Sequence, residues 1–342
     1  MIKVDPIGPI DLQQSAASQG FSMPAEWAPL ESIWLVRPHN EETWPGCLEA
    51  AQAEWDVWRA SMEAVVRVRT TDELGIATSD SWIRDFGPVF VKNKAGQVAA
   101  HSFVFNGWSD KHQVISLDNS VPDALQTDLG IPMWRHQFVL EGSSIDSNGG
   151  GTLLASRKCL ENKNPNPESG AGGIEQVLRD ALGITNIIWL VGGIEGGDTD
   201  GHVDDGTRFV RRDAIAAVRT TPDHPDYAKL EANWKVLQEA RDEQRQKFEL
   251  LELPAPKPLH YEFPSDRFGP GGRRILPASH ANFIFANGVI FVPAFGGASD
   301  EVACRMLENA TGLRAQPIMA KALVVGLGSL HCLSCQQPQA KQ

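Results

Sequence analysis

Residues 282–292 read Asn-Phe-Ile-Phe-Ala-Asn-Gly-Val-Ile-Phe-Val, two short apolar runs on either side of Asn287-Gly288. Asn-Gly between apolar runs is the strongest short-range indication of a β-hairpin, because both residues tolerate the positive φ that a tight turn requires. β-Branched and aromatic side chains in both runs also favour strands. The stretch therefore predicts a hairpin with strands at 282–285 and 289–292.

The same plan recurs outward from this hairpin. Two further hairpins are predicted at residues 89–105 and 207–218. Helical periodicity lies between the hairpins, at about 47–64, 174–182 and 300–310, and from Tyr227 to the prolines that begin at Pro254. A hairpin-helix unit every roughly 60 to 70 residues predicts an α/β repeat architecture with about five units.

Two stretches rich in Pro, Gly or Asn interrupt this pattern, at residues 162–173 and 253–274. We interpret both as long surface loops, because motifs on both sides of each loop would have to share one site, and loops of this length are often functional. The second loop is a candidate lid. The whole chain, residues 1–342, is then a single domain.

Composition limits the function classes. With 31 Lys and Arg against 43 Asp and Glu, the net charge is −12, which argues against binding nucleic acid or an anionic membrane and favours a cationic substrate. No apolar run reaches the roughly 18 residues of a membrane span, and the first residues do not resemble a secretory signal, so we expect a cytoplasmic protein. Five cysteines are odd in number and sparse, which fits reduced thiols.

The most concentrated polar stretch is residues 198–205, between predicted strands at 187–191 and 208–210. In an extended chain His202 and Asp204 would point to the same side and act on one substrate. Two other interpretations remain open at this point. The stretch has the composition of an Asp/Gly-rich turn, and His and Asp are also metal ligands.

Cys332 follows His331 after a predicted strand at 322–325. A thiol after glycines at a strand end, with a histidine elsewhere in the chain, is typical of a nucleophile. A buried inert thiol is the ordinary alternative. The spacing to Cys335 also permits a redox pair or half of a zinc site.

Two more segments place carboxylates near the ends of apolar runs. Asp85 lies close to Trp82, which could stack on a flat cation while the carboxylate accepts two N–H donors. Glu141 ends the run before Gly142. A thiol, a histidine and three carboxylates suit a guanidinium, which stays electrophilic at carbon only while it remains protonated.

Several motifs occur together in one order, and they resemble the agmatine deiminase and bacterial-type peptidyl-arginine deiminase family. The resemblance covers about residues 23–338, so that residues 1–22 form an N-terminal extension. The motifs are Met23 to Trp27, Arg37-Pro38-His39-Asn40, Thr43 to Gly46, Trp82 to Pro88, Phe105 to Trp108, Leu140-Glu141-Gly142, Asn162-Lys163-Asn164, Asp198 to Asp204, Asn282 with Ala286-Asn287-Gly288, and His331-Cys332 with Gln336-Gln337.

This resemblance implies a pentein fold, a five-bladed pseudosymmetric α/β-propeller with the active site on its axis. It also implies the roles of the site residues: Cys332 as nucleophile, His202 as general acid and base, Asp85 and Asp204 as guanidinium clamps, Glu141 as the carboxylate that orients His202 and contacts the substrate, and Trp82 and Trp108 near the substrate. The implied reaction converts agmatine to N-carbamoylputrescine and ammonia through a Cys332 thiouronium, in putrescine and polyamine biosynthesis. No metal or organic cofactor is implied.

The chain departs from the family at two arginines. Arg219 stands where many agmatine-type members carry an aromatic residue, and Arg37 stands where the motif usually has Trp. An arginine near the substrate tail would repel an amine and attract a carboxylate, so Arg219 is a candidate substrate-binding residue. A deiminase of arginine or peptidyl-arginine, producing citrulline, is therefore the alternative within the family.

Two alternatives of other classes remain, and the oligomeric state is open, a homo-oligomer included. One is a non-catalytic metal- or ligand-binding protein with His202, Asp204 and Asp205 as ligands and a second site at Cys332 and Cys335. The other is a thiol amidase that acts on neutral amides. This alternative explains the cysteine and the histidine but not the three acidic residues of the site.

Overall fold

The computed structural model describes residues 9–111, 116–161, 170–264 and 271–341. The described strands are β1 (Phe21–Ser22), β2 (Leu30–Leu35), β3 (Arg67–Thr70), β4 (Val89–Asn93), β5 (Val98–Val104), β6 (Met133–Val139), β7 (Ile145–Ser147), β8 (Thr152–Ser156), β9 (Asn186–Leu190), β10 (Thr207–Arg211), β11 (Ala214–Arg219), β12 (Glu249–Pro254), β13 (His260–Phe263), β14 (Gly272–Ile275), β15 (Ile284–Ala286), β16 (Val289–Ala294), β17 (Arg314–Met319) and β18 (Ser334–Pro338). The helices are α1 (Leu48–Glu63), α2 (Ile83–Phe86), α3 (Gly107–Asp110), α4 (Val121–Leu129), α5 (Arg157–Glu161), α6 (Gly170–Leu182), α7 (Tyr227–Glu239) and α8 (Ala298–Thr311).

Five sheets in the described ranges share one plan: two strands pair antiparallel, and a third strand adds parallel to the second. The five are β18-β2-β3, β4-β5-β6 with β1 at its edge, β7-β8-β9, β10-β11-β12 and β15-β16-β17. In each sheet a helical segment connects the second strand to the third, because a parallel pair needs a crossover. The predicted hairpin-helix unit is thus confirmed as a local structure.

One of these units is assembled from both ends of the chain. Strand β18, near the carboxyl end of the described residues, pairs antiparallel with β2, near the amino end. Helix α1 then covers this sheet with a buried face of Ala51, Trp55, Trp58 and Met62, at the spacing that one side of a helix requires. The pairing brings Cys332, two residues before β18, into the same structure as the amino-terminal strands.

The Asn287-Gly288 turn forms as the sequence predicts. Its residues have φ of 41° and 93°, and the flanking strands β15 and β16 pair antiparallel. The Asn287 side chain also accepts a hydrogen bond from the Leu30 N–H at 2.9 Å and donates one to the Leu30 carbonyl at 3.2 Å. The turn therefore holds the start of β2 as well as its own hairpin.

Three sequence predictions are corrected at the level of local structure. The helix that begins at Tyr227 ends at Glu239, and residues 249–254 form β12, because this sheet takes its third strand here. Residues 322–325 were expected to be a strand, but residues Leu323–Gly326 form a 3₁₀ turn. The backbone N–H groups of Ala322 and Leu323, at the start of this turn, donate hydrogen bonds to Glu54 Oε2. The predicted loop at 253–274 contains the hairpin β13-β14.

Parts of the two predicted loops lie outside the described residues, namely 162–169 and 265–270. They include the Asn162-Lys163-Asn164 motif. Residues 170–173 of the first stretch form the opening turn of α6. Among the described helices none has both the length and the apolar composition needed to cross a bilayer.

We expect Asn287→Ala to destabilise the protein by about 2 to 3 kcal/mol, because alanine disfavours a positive φ and cannot make the two hydrogen bonds to Leu30. Thermal or urea unfolding of the purified variant would measure the loss. The matched control is Asp213→Ala in another hairpin turn, whose exposed ion pair with Arg211 should contribute little. Equal stability of the two variants would contradict the role assigned to Asn287.

Candidate active site

Five connecting segments carry the polar residues of the site, and each leads into the first strand of one of the five sheets. Asp85 precedes β4, Glu141 precedes β7, His202 and Asp204 precede β10, Asn282 precedes β15, and Cys332 precedes β18. The expectation that these residues end strands holds for Glu141, which follows β6. It is wrong for Asp85, which lies in α2, and for Cys332, which lies in the turn before its strand.

A pocket of about 380 Å³ lies where these segments meet. Cys332, His202 and Asp85 contribute to its wall together with Trp82 and Trp108. The remaining lining residues are Asp198, Thr199, Gly326, Leu327 and Gly328. A Cβ at Gly328 would lie 2.4 Å from the Trp82 ring, so the glycine allows the indole to pack against the backbone. The glycines of this segment thus shape the pocket wall.

The Cys332 thiol is buried among polar groups. Its sulfur receives a hydrogen bond from the Asn282 amide at 3.2 Å and donates one to Asp204 Oδ2 at 3.4 Å. Burial and the negative charge of Asp204 raise the pKa of Cys332 to about 12, although a hydrogen bond with His202 acts in the opposite direction. Without a bound cation, the thiol is therefore protonated at neutral pH.

His202 faces carboxylates and the Cys332 sulfur. Its Nε2 lies 2.8 Å from Glu141 Oε2 and 3.8 Å from Asp85 Oδ2. Burial opposes a charged imidazole, but Asp85, the Cys332 contact and Glu141 together raise the pKa of His202 well above its ordinary value. His202 is therefore a protonated acid next to the thiol.

Asp85 is held by two N–H donors. The Trp108 indole donates to Oδ2 and the Ser143 backbone N–H to Oδ1, both at 2.9 Å. Trp108 lies in a left-handed turn with φ of 55°, followed by Ser109 at 65°. Such backbone conformations cost about 1 to 3 kcal/mol each and concentrate at functional sites. The strained turn places the indole on the carboxylate, and Asp85 makes no ion pair with its neighbour Arg84 among the described contacts.

Asp204 has one satisfied and one unsatisfied oxygen. Oδ2 accepts hydrogen bonds from His331 Nδ1 at 2.6 Å and from the Cys332 thiol. Oδ1 is buried and has no hydrogen-bond partner within the part of the chain that the structure describes. Because an unpartnered buried acceptor is unfavourable, this oxygen is ready to receive an N–H group from a ligand.

The structure does not bring the two departing arginines to the pocket. Arg219, predicted to bind substrate, stacks on Trp234 at 4.5 Å and pairs with Glu231 at 2.6 Å. Arg37 makes a two-pronged, largely exposed ion pair with Asp56. Each guanidinium group is paired with a carboxylate away from the pocket, so neither arginine is placed to choose between an amine and a carboxylate on the substrate.

Several residues of the site were not assigned roles from the sequence. Asn282 and His331 occur in the motifs that carried the resemblance, but nothing local to them indicates a contact with Asp204 or Cys332. Asn282 also donates to Asp205 Oδ1 at 3.3 Å. Burial and the neighbouring Asp204 raise the pKa of Asp205 well above its ordinary value. Asp205 therefore holds a proton more readily than Asp204, whose pKa is lowered by its hydrogen bond with His331.

Two groups of three residues could each offer ligand atoms to a metal ion, and within each group these atoms lie within 4.8 Å of one another. One group is Glu141, Cys159 and His202, and the other is His202, Asp204 and Asp205. His202 belongs to both groups. Its raised pKa means that a metal ion would first have to displace a proton from the ring, since a protonated imidazole has no free lone pair. Cys335 lies apart from both groups and donates to the Pro88 carbonyl at 3.3 Å. The arrangement suits proton transfer better than metal binding.

Comparisons with known proteins agree with this geometry. The agmatine deiminase of Pseudomonas syringae pv. tomato is 31% identical over 96% of this chain and 98% of its own. The solved C. jejuni agmatine deiminase with substrate bound is 30% identical, with a TM-score of 0.84 over 94% of this chain and 97% of its own. The Enterococcus faecalis agmatine deiminase, at 24% identity, has the same fold, with a TM-score of 0.89 over 95% of this chain and 98% of its own.

The fold is mixed α/β, and it is shared with solved structures named as agmatine deiminases. A family model described as Porphyromonas-type peptidyl-arginine deiminase matches residues 22–338, which includes the whole range of about 23–338 over which the motifs predicted such a resemblance. The chain therefore belongs to the Porphyromonas-type peptidyl-arginine deiminase family.

Proposed function

We propose that this protein is an agmatine deiminase, a hydrolase that converts agmatine to N-carbamoylputrescine and ammonia and so supplies putrescine synthesis. The observation that carries the proposal is the contact of the Cys332 thiol with both an ionised carboxylate, Asp204, and a protonated histidine, His202. The full-length similarity to proteins named agmatine deiminase supports it.

A guanidinium fits the donors and acceptors of this pocket. It is planar and carries N–H donors in a fixed fork, which matches carboxylates on two sides. Asp204 Oδ1 has no hydrogen-bond partner among the described residues, and Asp85 is held in place by Trp108 and Ser143. The indoles of Trp82 and Trp108 line the same pocket, so that a flat cation would lie against aromatic surface.

The bound cation also activates the nucleophile. The pKa of Cys332 is raised by burial and by the negative charges of Asp204, Asp205 and Asp85. A guanidinium placed against Asp85 and Asp204 offsets this negative charge, which favours the thiolate only when substrate is present. The thiol proton passes to solvent, and the thiolate then attacks the guanidinium carbon. A C–S bond forms while the C–N π electrons move onto nitrogen, giving a neutral tetrahedral adduct.

His202 serves both halves of the reaction. In the first half its proton goes to the departing amino group, the C–N bond breaks, and ammonia leaves a positively charged S-alkylthiouronium on Cys332. In the second half the neutral His202 takes a proton from water while the oxygen bonds to carbon. The C–S bond then breaks, the thiolate leaves with the bonding electrons, and the hydroxyl proton is released to give the ureido product. Glu141 orients His202 throughout through the 2.8 Å contact.

The pocket favours an amine over a carboxylate at the far end of the substrate. Among the described residues that line it there is no Lys or Arg, whereas Asp198 is present. The α-carboxylate of arginine would meet this negative charge, part of which Lys111 Nζ offsets at 3.8 Å from Asp198 Oδ1, and the amine of agmatine would be attracted by it. Arginine or peptidyl-arginine, which would yield citrulline, is therefore the second candidate substrate class.

The proposal extends to the architecture. We infer that the five sheets close into a five-bladed propeller, a single catalytic domain with the pocket on its axis. The pairing of β18 with β2 supports closure, since it joins the two ends of the chain. The five segments that enter the sheets each contribute a side chain to the pocket region, as residues around a central axis would.

Purified protein should release ammonia from agmatine faster than from free arginine or a peptide ending in arginine. We expect Cys332→Ala to lower the rate at least about 10⁴-fold, because the covalent path is lost. Steady-state ammonia assays with the three substrates test both statements. Retained turnover in Cys332→Ala would exclude the covalent mechanism, and preference for arginine would favour the second substrate class.

Alkylation of Cys332 should depend on the charge of the reagent. With a pKa of about 12 in the empty pocket, the thiolate fraction rises about tenfold per pH unit below that value, so iodoacetamide should label Cys332 slowly at pH 7 and much faster at pH 10. A cationic haloacetamidine brings its own positive charge and should label the residue rapidly at pH 7. Mass spectrometry of the labelled peptide would measure both rates, and equal rates for the two reagents at pH 7 would contradict the cation-activated thiol.

Arg219→Ala should leave the ratio of kcat/KM for agmatine over arginine within about twofold of the unchanged protein, because Arg219 is engaged with Trp234 and Glu231. Arg37→Ala is the matched surface control. A shift of tenfold or more in this ratio for Arg219→Ala alone would show that the residue determines specificity.

A further inference from the structure

Two buried residues behind Asp204 have no part in the chemistry described so far. His331 Nδ1 lies 2.6 Å from Asp204 Oδ2, and His331 Nε2 lies 2.6 Å from Glu26 Oε1. His331 is fully buried and Glu26 is 8% exposed. The three side chains form a continuous line from the interior of the protein to the carboxylate that contacts the Cys332 thiol.

The geometry determines the charge on His331. A neutral imidazole has one N–H, so only one of its two nitrogens could donate to a carboxylate. Both nitrogens are in close contact with carboxyl oxygens, and the pKa of each of these two carboxyls is lowered, so that both are ionised and accept from ring N–H donors. His331 is therefore an imidazolium between two carboxylates, and each contact is a charge-assisted hydrogen bond.

The inner end of this line is rigidly anchored. Arg208 is fully buried and pairs with the second oxygen of Glu26, with Asp146 at 3.1 Å and with the Phe283 carbonyl at 2.8 Å. Arg84 Nη1 lies 3.4 Å from Glu26 Oε1. Burial would protonate Glu26, but Arg208, His331 and Arg84 hold its pKa far below the ordinary value. Glu26 is thus a fixed anion that can hold His331 in one orientation.

We propose that His331 and Glu26 are positioning residues for guanidinium binding, which keep Asp204 anionic and turned so that Oδ2 is occupied and Oδ1 remains available to the substrate. The proposal rests on the deiminase function proposed above for the identity of the substrate. It assigns a purpose to the unpartnered Oδ1, since the imidazolium occupies only the other oxygen.

The other charged or titratable groups around Asp204 do not replace His331. They are Asp205 beside it in the chain, His202 from the same segment, Cys332 from the turn before β18, and Arg208 from β10. Only His331 donates a hydrogen bond from a charged group to Asp204 among the described contacts. Burial without it would favour the protonated carboxyl, which binds a guanidinium weakly.

Two substitutions of His331 separate its hydrogen bonds. The side-chain amide of His331→Asn reaches the position of Nδ1 and retains a neutral donor to Asp204. The longer His331→Gln reaches the position of Nε2 and retains only the contact with Glu26. We expect KM for agmatine to rise by roughly tenfold or more in His331→Gln and by less in His331→Asn, with kcat reduced less than kcat/KM in both. Below neutral pH the loss in kcat/KM should grow, since Asp204 becomes easier to protonate.

A second readout needs no turnover. The ratio of haloacetamidine to iodoacetamide labelling rates at Cys332 measures cation binding by the pocket. It should fall in His331→Gln, while the iodoacetamide rate itself stays the same or increases, because a less negative Asp204 makes the thiol easier to ionise. If the unchanged protein does not turn over agmatine, the proposed function fails and this ratio still tests the role of His331.

The matched control is His101→Gln, which replaces another buried histidine that contacts His136 at 2.8 Å. It should lose stability without changing KM or the labelling ratio. Glu26→Gln provides a second route should the His331 variants not fold, and it should change both readouts in the same direction. The proposal is overturned if the folded variants keep both readouts, or if His101→Gln changes them to the same extent.

Discussion

A buried excess of negative charge around one thiol is the constraint on which the rest of the structure depends. Asp204 contacts the Cys332 thiol, and Asp85 and Glu141 lie against His202 beside it. All three carboxyl groups are almost completely removed from water. Ionised carboxylates are expensive to bury unless they are paired and hydrogen-bonded. Buried cations therefore accompany them: His202 stands beside Glu141, and Arg208 and His331 stand behind Asp204.

The repeated unit explains how so many polar groups meet in one place. Each of the five sheets is entered by a connecting segment, and segments tolerate polar side chains that strands within the core do not. The strands themselves supply the apolar packing that holds these segments in position. The division allows a chemically demanding pocket to lie on a mainly apolar framework. Arg208 on β10 and Asp146 on β7 are buried charged residues within strands; they pair with each other, and Arg208 also pairs with Glu26.

The sequence predicted local structure where turn chemistry and apolar pattern agree. The Asn287-Gly288 hairpin and the helices near 47–64 and 300–310 appear within a few residues of their expected bounds. The end of the helix that begins at Tyr227 and the strand at 322–325 were predicted wrongly, because residues 249–254 pair with β11 as β12 and Glu54 accepts hydrogen bonds at the start of a 3₁₀ turn. In both cases a contact from a distant part of the chain decided the conformation.

The hairpins, the family and the residue types that suit guanidine chemistry follow from the amino-acid sequence alone, because turn preferences and motif order are properties of neighbouring residues. Which charged groups meet depends on the folded chain. Glu26 and His331 are 305 residues apart along the chain, yet their side chains lie 2.6 Å apart in the fold. Arg219, by contrast, contacts Trp234 and Glu231 and does not reach the pocket. Burial and charge pairing depend on the whole packed chain, so the protonation of His202 and the free oxygen of Asp204 had no local signature.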